Sequence, residues 1–378
     1  MSAAQILGIL FADRWLVSIG SVAQIDTGAA STVSFTPIWR ASSEEGPSDA
    51  EVHDLVASAT EELLRSIDFA AQRSNQWTNQ ALGYAAIDAA MSGCLAQLAR
   101  TRRWGRDNEI PSDILWKAAG DVLQVGWLQH RARSKPLGYA GDYQMITNIV
   151  EDRCCEDPLG AIFDRYFLNQ AAPHAVRNRT EQVAYSLADH FRRQEGGPYR
   201  IVSVGAGPAI DIQRGMSLLP RDDRKRANIL LLDLDDESLT YATERLDEVV
   251  DRSQIVAARE NLFRLPRNAG VLQQIREANF LVCSGLLDYL DDNVATDMLQ
   301  LFWKSLAREG LMLVGNFVPY HPTRAYMEWI GNWYLQYRTP DQLTALVAAA
   351  GIPAKFSEIL ADRSGSDLFV HCINENRS

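Results

Sequence analysis

The chain is short of most features that would mark a secreted, membrane-spanning or nucleic-acid-binding protein. It has five cysteines in 378 residues. They are an odd number, at positions 94, 154, 155, 283 and 372, with no metal-ligand spacing. Adjacent Cys154 and Cys155 cannot readily bridge one another, so reduced thiols and a cytoplasmic location are expected. Positive charge is also scarce. The 37 lysines and arginines face 48 acids, a formal net charge of −11, which argues against a nucleic-acid partner. The cluster Arg221-Asp-Asp-Arg-Lys-Arg226 is interleaved with acids and reads as a solvated loop. No basic leader precedes the first apolar residues, and Asp13-Arg14 cut that run short, so neither signal peptide nor membrane span is expected. No G-x-x-x-x-G-K-[ST] phosphate loop occurs.

What is present centres on Tyr199-Arg-Ile-Val-Ser-Val-Gly-Ala-Gly-Pro-Ala-Ile-Asp211 and Asn228-Ile-Leu-Leu-Leu-Asp233. The first apolar run ends in Gly205-x-Gly207 and the second ends on Asp233. That pattern predicts a buried parallel strand, a turn where backbone approaches a ligand, and an acid placed for a ribose diol. A dinucleotide fingerprint would want G-x-G-x-x-G/A, whereas the sixth position here is Ile210. A cofactor with ribose and adenine but no phosphate fits better, and S-adenosylmethionine is the common one. A lone GxG is equally a strand-turn-helix packing site; the order of elements downstream decides between the two.

That order alternates. A helix from Asp236 to about Val250 leads into a strand at Gln254–Ala258, and a fourth strand spans Asn279–Ser284. A helix from about Asn293 to Arg308 precedes a fifth strand at Gly310–Asn316. The segments Lys355–Leu360 and Asp367–Ile373 read as a closing antiparallel hairpin. The expected fold is α/β, a Rossmann-like seven-stranded sheet over residues 196–378. Residues 1–195 are expected to form a mainly helical domain, a lid over the acceptor site, since a length of 378 residues implies about two domains. Residues 1–45 form a strand-rich appendage in this scheme, with a linker-like break at Ser42–Ser48. From Asp49, Val52, Leu55, Val56, Ala59, Leu63, Leu64 and Ile67 form one apolar stripe. Similar stripes run through Ala81–Leu98, Pro111–Ala132 and Ile162–His190. No internal repeat or low-complexity tract is present.

With the turn Arg259-Glu-Asn-Leu-Phe-Arg-Leu-Pro266, this arrangement resembles a class I methyltransferase. The resemblance implies that Asn261 meets the adenine amino group and that Leu262 flanks the ring. Leu234 and Ser284 are further candidates at the cofactor. The usual acid two residues before the first glycine is replaced by Ser203, so the methionine amino group needs another partner, such as the Gly205 carbonyl, Asp211 or an acid from the N-terminal half. Asp211 is equally a first-turn acid favoured by the helix dipole. Arginine forks hold carboxylates bidentately, and Arg177 or Arg179 is placed to clamp the methionine carboxylate, Arg177 preferred. The loop Lys135–Met145 brings glycines together with Tyr139, Asp142 and Tyr143, suited to adenine or an acceptor, or else a simple helix connection. Five segments taken together resemble the bacterial methyltransferases associated with 3-hydroxypalmitic acid methyl ester biosynthesis. They are Lys135–Tyr143, Phe167–Arg179, Gly205–Ala209, Ser284–Leu290 and Gly315–Trp329.

The acceptor is expected beyond the fifth strand. There Asn316, Tyr326, Trp329, Trp333 and Tyr334, with Tyr289, are candidates to wall a pocket; Trp329 and Trp333 equally suit simple helix burial. Glu328 among aromatics would be costly without a cation or donor. It and Asp288 are therefore candidate catalytic acids, and His174 and His321 candidate bases. The family resemblance implies carboxyl O-methylation of a hydroxy fatty acid. The acids and aromatics suit an amino or guanidino acceptor, arginine for example. The absence of an acid at Ser203 leaves open a non-catalytic, cofactor-binding regulator. The partner expected is a small molecule, and oligomeric state is left open.

Overall fold

The structure, a computed structural model, describes residues 17–18, 46–74, 80–194, 196–267 and 269–375. The first half is helical: α1 (Asp49–Ser74), α2 (Gln80–Ala99), α3 (Glu109–Leu123), α4 (Trp127–Ser134), α5 (Tyr143–Val150), α6 (Pro158–Leu168) and α7 (Ala171–Arg193). α1 buries Val52, Val56, Ala59, Leu63 and Ile67, while Leu55 and Leu64 of the same stripe stay half-buried. Two stripes that read as continuous are each broken into two helices. Between α3 and α4 the chain breaks at Gln124–Gly126, and the buried Asp164 carboxylate accepts Leu128 N–H, in the first turn of α4, at 2.8 Å and Cys155 N–H at 2.9 Å. The other break, at Asn169–Gln170, separates α6 from α7.

The sheet comprises β1 (Tyr199–Val204), β2 (Ala227–Asp233), β3 (Ile255–Arg259), β4 (Ala278–Cys283), β5 (Leu306–Phe317), β6 (Ser357–Ala361) and β7 (Asp367–Ile373). Its order is β3-β2-β1-β4-β5-β7-β6, with β7 antiparallel to both neighbours and the pairs from β3 to β5 parallel. Val17–Ser18 adds a two-residue strand antiparallel to β6; the rest of the expected appendage and most of the linker lie outside the described residues. Along β1 and β2, Val202, Val204, Leu230 and Leu232 face one core, while Tyr199, Ile201, Ile229 and Leu231 face another. Both faces are covered, which is why these strands read as largely apolar runs rather than alternating ones. The helices α8 (Ile210–Ser217), α9 (Asp236–Asp247), α10 (Asp292–Ser305) and α11 (Pro340–Ala349) supply much of that cover. This is the class I, Rossmann-like methyltransferase fold.

Two features position the site. The chain runs outward from β1 to β3 and then returns to place β4 on the other side of β1, leaving a crevice at the strands' carboxyl ends. A third core joins the helical half to the segment after β5, taking in Phe317, Tyr326, Met327, Trp329, Ile330 and Trp333. α7 spans both regions, with Ala172, Ala175 and Val176 in the helical core and Val183, Leu187 and Phe191 against the sheet. The backbone N–H of Ala172, near the start of α7, donates to Thr323 Oγ1 at 2.9 Å. Among the described residues no helix is long and apolar enough to cross a membrane.

Candidate active site

The turn after β1 is built from left-handed backbone: Gly205, Gly207 and Ala209 have φ of 64°, 51° and 50°. Glycine adopts that region freely, and Ala209 pays a steric penalty there. Gly205 N–H and Ala206 N–H both donate to Leu232 O, at 2.9 and 3.1 Å. Gly207 N–H donates to Asp233 Oδ2 at 2.9 Å, and Asp235 N–H to Asp233 Oδ1 at 3.1 Å. The Asp233 carboxylate thus clasps the ends of β1 and β2 together. Burial pushes its pKa up, against the pull of those N–H donors.

The clasp opens into a cavity of about 480 Å³ at the β1/β4 crevice. Gly205, Gly207, Asp211, Asp233, Leu234, Leu262 and Ser284 all line it, as does Ser203. Further along, Arg179 from α7 reaches in beside Gly285. It pairs through Nη1 with Asp367 Oδ2 at 3.2 Å and lies 5.9 Å from the Phe317 ring centroid. Around it stand three carboxyls, Asp288 and Asp367 buried and Asp211 half-buried. Asp211 is raised by burial, with Ile212 N–H and Arg179 opposing. Asp288 is pushed up to about 6 by burial, with Arg179 and Phe317 N–H opposing. Asp367 is driven well above the carboxylate range by burial, against Arg179 and reinforced by Asp288. Its Oδ1 has no hydrogen-bond partner among the described residues.

The helical half closes the other side. Tyr139 and Gly141 of the loop before α5 line the cavity with Tyr289 and Trp333. Tyr139 meets Tyr289 edge-on at 6.4 Å, and Trp333 Nε1–H donates to Tyr289 Oη at 2.9 Å. A Cβ on Gly141 would sit 2.9 Å from both Trp333 Cζ2 and Tyr289 Oη, so only glycine lets this loop lie so close. Ile146, Ile149, Phe167, Val176, Met327 and Leu335 complete a hydrocarbon wall.

Several expected site residues do not reach the cavity, each for a visible reason. Arg177 caps helix ends instead, donating to Ile149 O at 3.1 Å and Leu168 O at 2.6 Å; its neighbour Arg179 points inward. Asp142 caps α5 through Met145 N–H at 2.9 Å and pairs with Arg131 at 2.8 Å. Tyr143 packs on Tyr241, 5.2 Å away, in a separate shallow pocket. Glu328 is buried, but its partners are local: Arg324 at 2.7 Å and Gly105 N–H at 2.7 Å. Trp329 is wholly buried, and Tyr326 stacks on Phe167 and donates to Gln129 Oε1 at 2.9 Å. His174 is exposed beside Arg177. His321 is buried between Phe317 and Tyr337, and burial drives its pKa down to about 3, which keeps it neutral. Tyr334 is half-buried away from the cavity, and Asn261 is exposed outside it. Asn316 stands behind the wall, donating to Asp288 Oδ1 at 3.0 Å.

Phe317, Met327 and Leu335 line the cavity without any local sequence signal, and the third core brings them here. All five cysteines are free, and among the described residues no cluster of His, Cys, Asp and Glu could hold a metal ion.

No protein-family model matches the chain, and no curated protein does. Solved structures do. A protein of Bordetella parapertussis described as a "possible exported protein" is 16% identical over 87% of this chain and 99% of its own, with a TM-score of 0.51. The CurJ carbon methyltransferase is 12% identical over 86% of this chain and 97% of its own, TM-score 0.46. The N-methyltransferase NodS from Bradyrhizobium japonicum WM9, in complex with S-adenosylhomocysteine, is 13% identical over 62% of this chain and 98% of its own, TM-score 0.38. At 16% identity the likeness to the Bordetella protein is one of fold alone.

Proposed function

We propose that the chain is an S-adenosylmethionine-dependent methyltransferase acting on a small molecule. The observation that carries this is the Asp233 clasp: a buried carboxylate at the end of β2, tied to the Gly205–Gly207 turn and lining a cavity at the switch point of a class I sheet. The donor set fits the cofactor's chemistry. Asp233 takes the ribose diol, with Leu234 and Leu262 against the adenine. Asp211, lining the cavity beside Ser284, replaces the missing acid at Ser203 and takes the methionine ammonium. Arg179, rather than Arg177, takes the carboxylate. When bound, the sulfonium supplies an electrophilic methyl group, and the chain's own contribution is to hold an acceptor in line with it. The helical half, through about residue 195, serves as the lid, and Tyr139, Tyr289 and Trp333 wall the acceptor end.

The hydrocarbon wall supports an acceptor with an apolar body, in keeping with the hydroxy fatty acid that the family resemblance implies. The carboxyls at the polar end favour an amino or guanidino group instead. The test is transfer of an isotopically labelled methyl group to pooled fatty acids, amines and amino acids, read by mass spectrometry. Labelled product is expected. Cofactor binding without product from any pool would leave the non-catalytic regulator standing.

A further inference from the structure

We propose that the group methylated is a cationic nitrogen, an ammonium or guanidinium carried on an apolar body, and that Asp288 holds it and removes its proton. This rests on the methyltransferase reading above. The first ground is charge. Asp211, Asp233 and Asp288 line the cavity, whereas Arg179 is the one cation among its described lining residues and is already paired with Asp367. A bound cofactor, with an ammonium, a sulfonium and a carboxylate, adds a single net positive charge and leaves the region negative. A carboxylate acceptor would add a like charge where burial leaves little water to screen it. A cation moves the balance the other way, and the aromatic rings of Tyr139, Tyr289 and Trp333 along the same cavity suit a positive charge.

The second ground is the way Asp288 is held. It is 3% exposed. Oδ1 accepts Asn316 Nδ2 at 3.0 Å and Phe317 N–H at 2.8 Å, while Oδ2 accepts no hydrogen bond from the described residues. The support is itself locked: Asn316 Nδ2 also donates to Gln336 O at 3.0 Å, and Asn316 Oδ1 accepts Arg338 Nη1 at 2.6 Å. Arg338 in turn donates to Leu287 O at 3.0 Å and Leu290 O at 2.6 Å, on either side of Asp288. One carboxylate oxygen is thus fixed by protein, and the other is left for a ligand N–H in a cavity that has no histidine among its described lining residues.

The ammonium N–H gives its proton to Asp288 Oδ2, leaving a neutral amine with a lone pair. That pair forms the new N–C bond to the methyl carbon as the C–S bond breaks. The C–S electron pair stays on sulfur as a neutral thioether, the product leaves as a methylated ammonium, and Asp288 returns its proton to solvent. Burial next to a sulfonium eases the first proton loss, because both disfavour the charged amine.

The test is calorimetric titration of the intact protein, saturated with S-adenosylhomocysteine, with hexylamine and with hexanoate. Hexylamine is expected to bind about tenfold or more tightly than hexanoate, and Asp288→Asn to weaken hexylamine about tenfold, as for loss of a charged hydrogen bond. The variant's affinity for S-adenosylhomocysteine should not change. Hexanoate binding as well as hexylamine overturns the proposal, as does no hexylamine binding, or hexylamine binding indifferent to the substitution. The wild-type comparison decides even if the variant misfolds. Failure of S-adenosylhomocysteine itself to bind would instead strike the methyltransferase reading.

Discussion

Replacing Arg179 by methionine tests the electrostatics of the site, because it removes the charge while keeping much of the side-chain bulk. Arg179 is 7% exposed and its partner Asp367 is fully buried. Removing one member of such a pair typically costs about 3–5 kcal/mol. Here the loss has a ceiling, because the stranded carboxyl can take a proton. Protonating an aspartate whose unfolded pKa is about 3.9 costs roughly 4 kcal/mol at pH 7 and falls by about 1.4 kcal/mol per pH unit. Arg179 opposes burial at Asp367, Asp288 and Asp211, so its removal raises their folded pKa values further. An acid raised in the folded state contributes stability that is present below its unfolded pKa and lost as pH rises through its folded value. The variant should therefore lose up to about 3–4 kcal/mol at pH 7 in urea denaturation, and less as the pH is lowered. Adding Asp367→Asn should recover most of the loss at pH 7. A deficit below about 1 kcal/mol at pH 7, a deficit flat with pH, or no recovery in the double variant would refute the reasoning.

Four further outcomes are expected. Asp233→Asn should weaken S-adenosylhomocysteine binding roughly 10–100-fold by calorimetry, as for a charged hydrogen bond; unchanged affinity would remove Asp233 from the ribose. Gly141→Ala, whose Cβ would meet Trp333 and Tyr289 at 2.9 Å, should raise KM for the acceptor while the melting temperature moves little. Unaltered kinetics would show that the loop does not close on those rings. His321→Phe should leave turnover intact, because neither ring nitrogen has a hydrogen-bond partner among the described residues and the ring stays neutral; a large fall in kcat would return it to the site. Glu328→Gln should lower stability by about 1–3 kcal/mol through its weakened pair with Arg324, without altering KM, whereas a specific loss of acceptor binding would contradict its placement.

The parallel strands were legible because both faces of the sheet are buried, and Asp233 because it ends such a run. What the sequence hid was direction and partnership. Arg177 and Arg179 lie two positions apart on a helix buried on several sides, and no local pattern shows which faces the cavity. Glu328 does need a partner, as its aromatic surroundings implied, but Arg324 one helical turn earlier supplies it. Asp142 looks like a ligand-binding acid in a glycine-rich loop, and its side chain caps the helix that begins at Tyr143. Caps, ion pairs and ligand contacts draw on the same side chains. Only the tertiary fold separates them, just as only the third core brings Phe317 and Met327 to the cavity.

Titrating the intact protein with S-adenosylhomocysteine in a calorimeter tests the central claim most directly. The account predicts one site per chain, competed for by S-adenosylmethionine. No measurable binding, or binding that survives Asp233→Asn and Arg179→Met together at full strength, would contradict it.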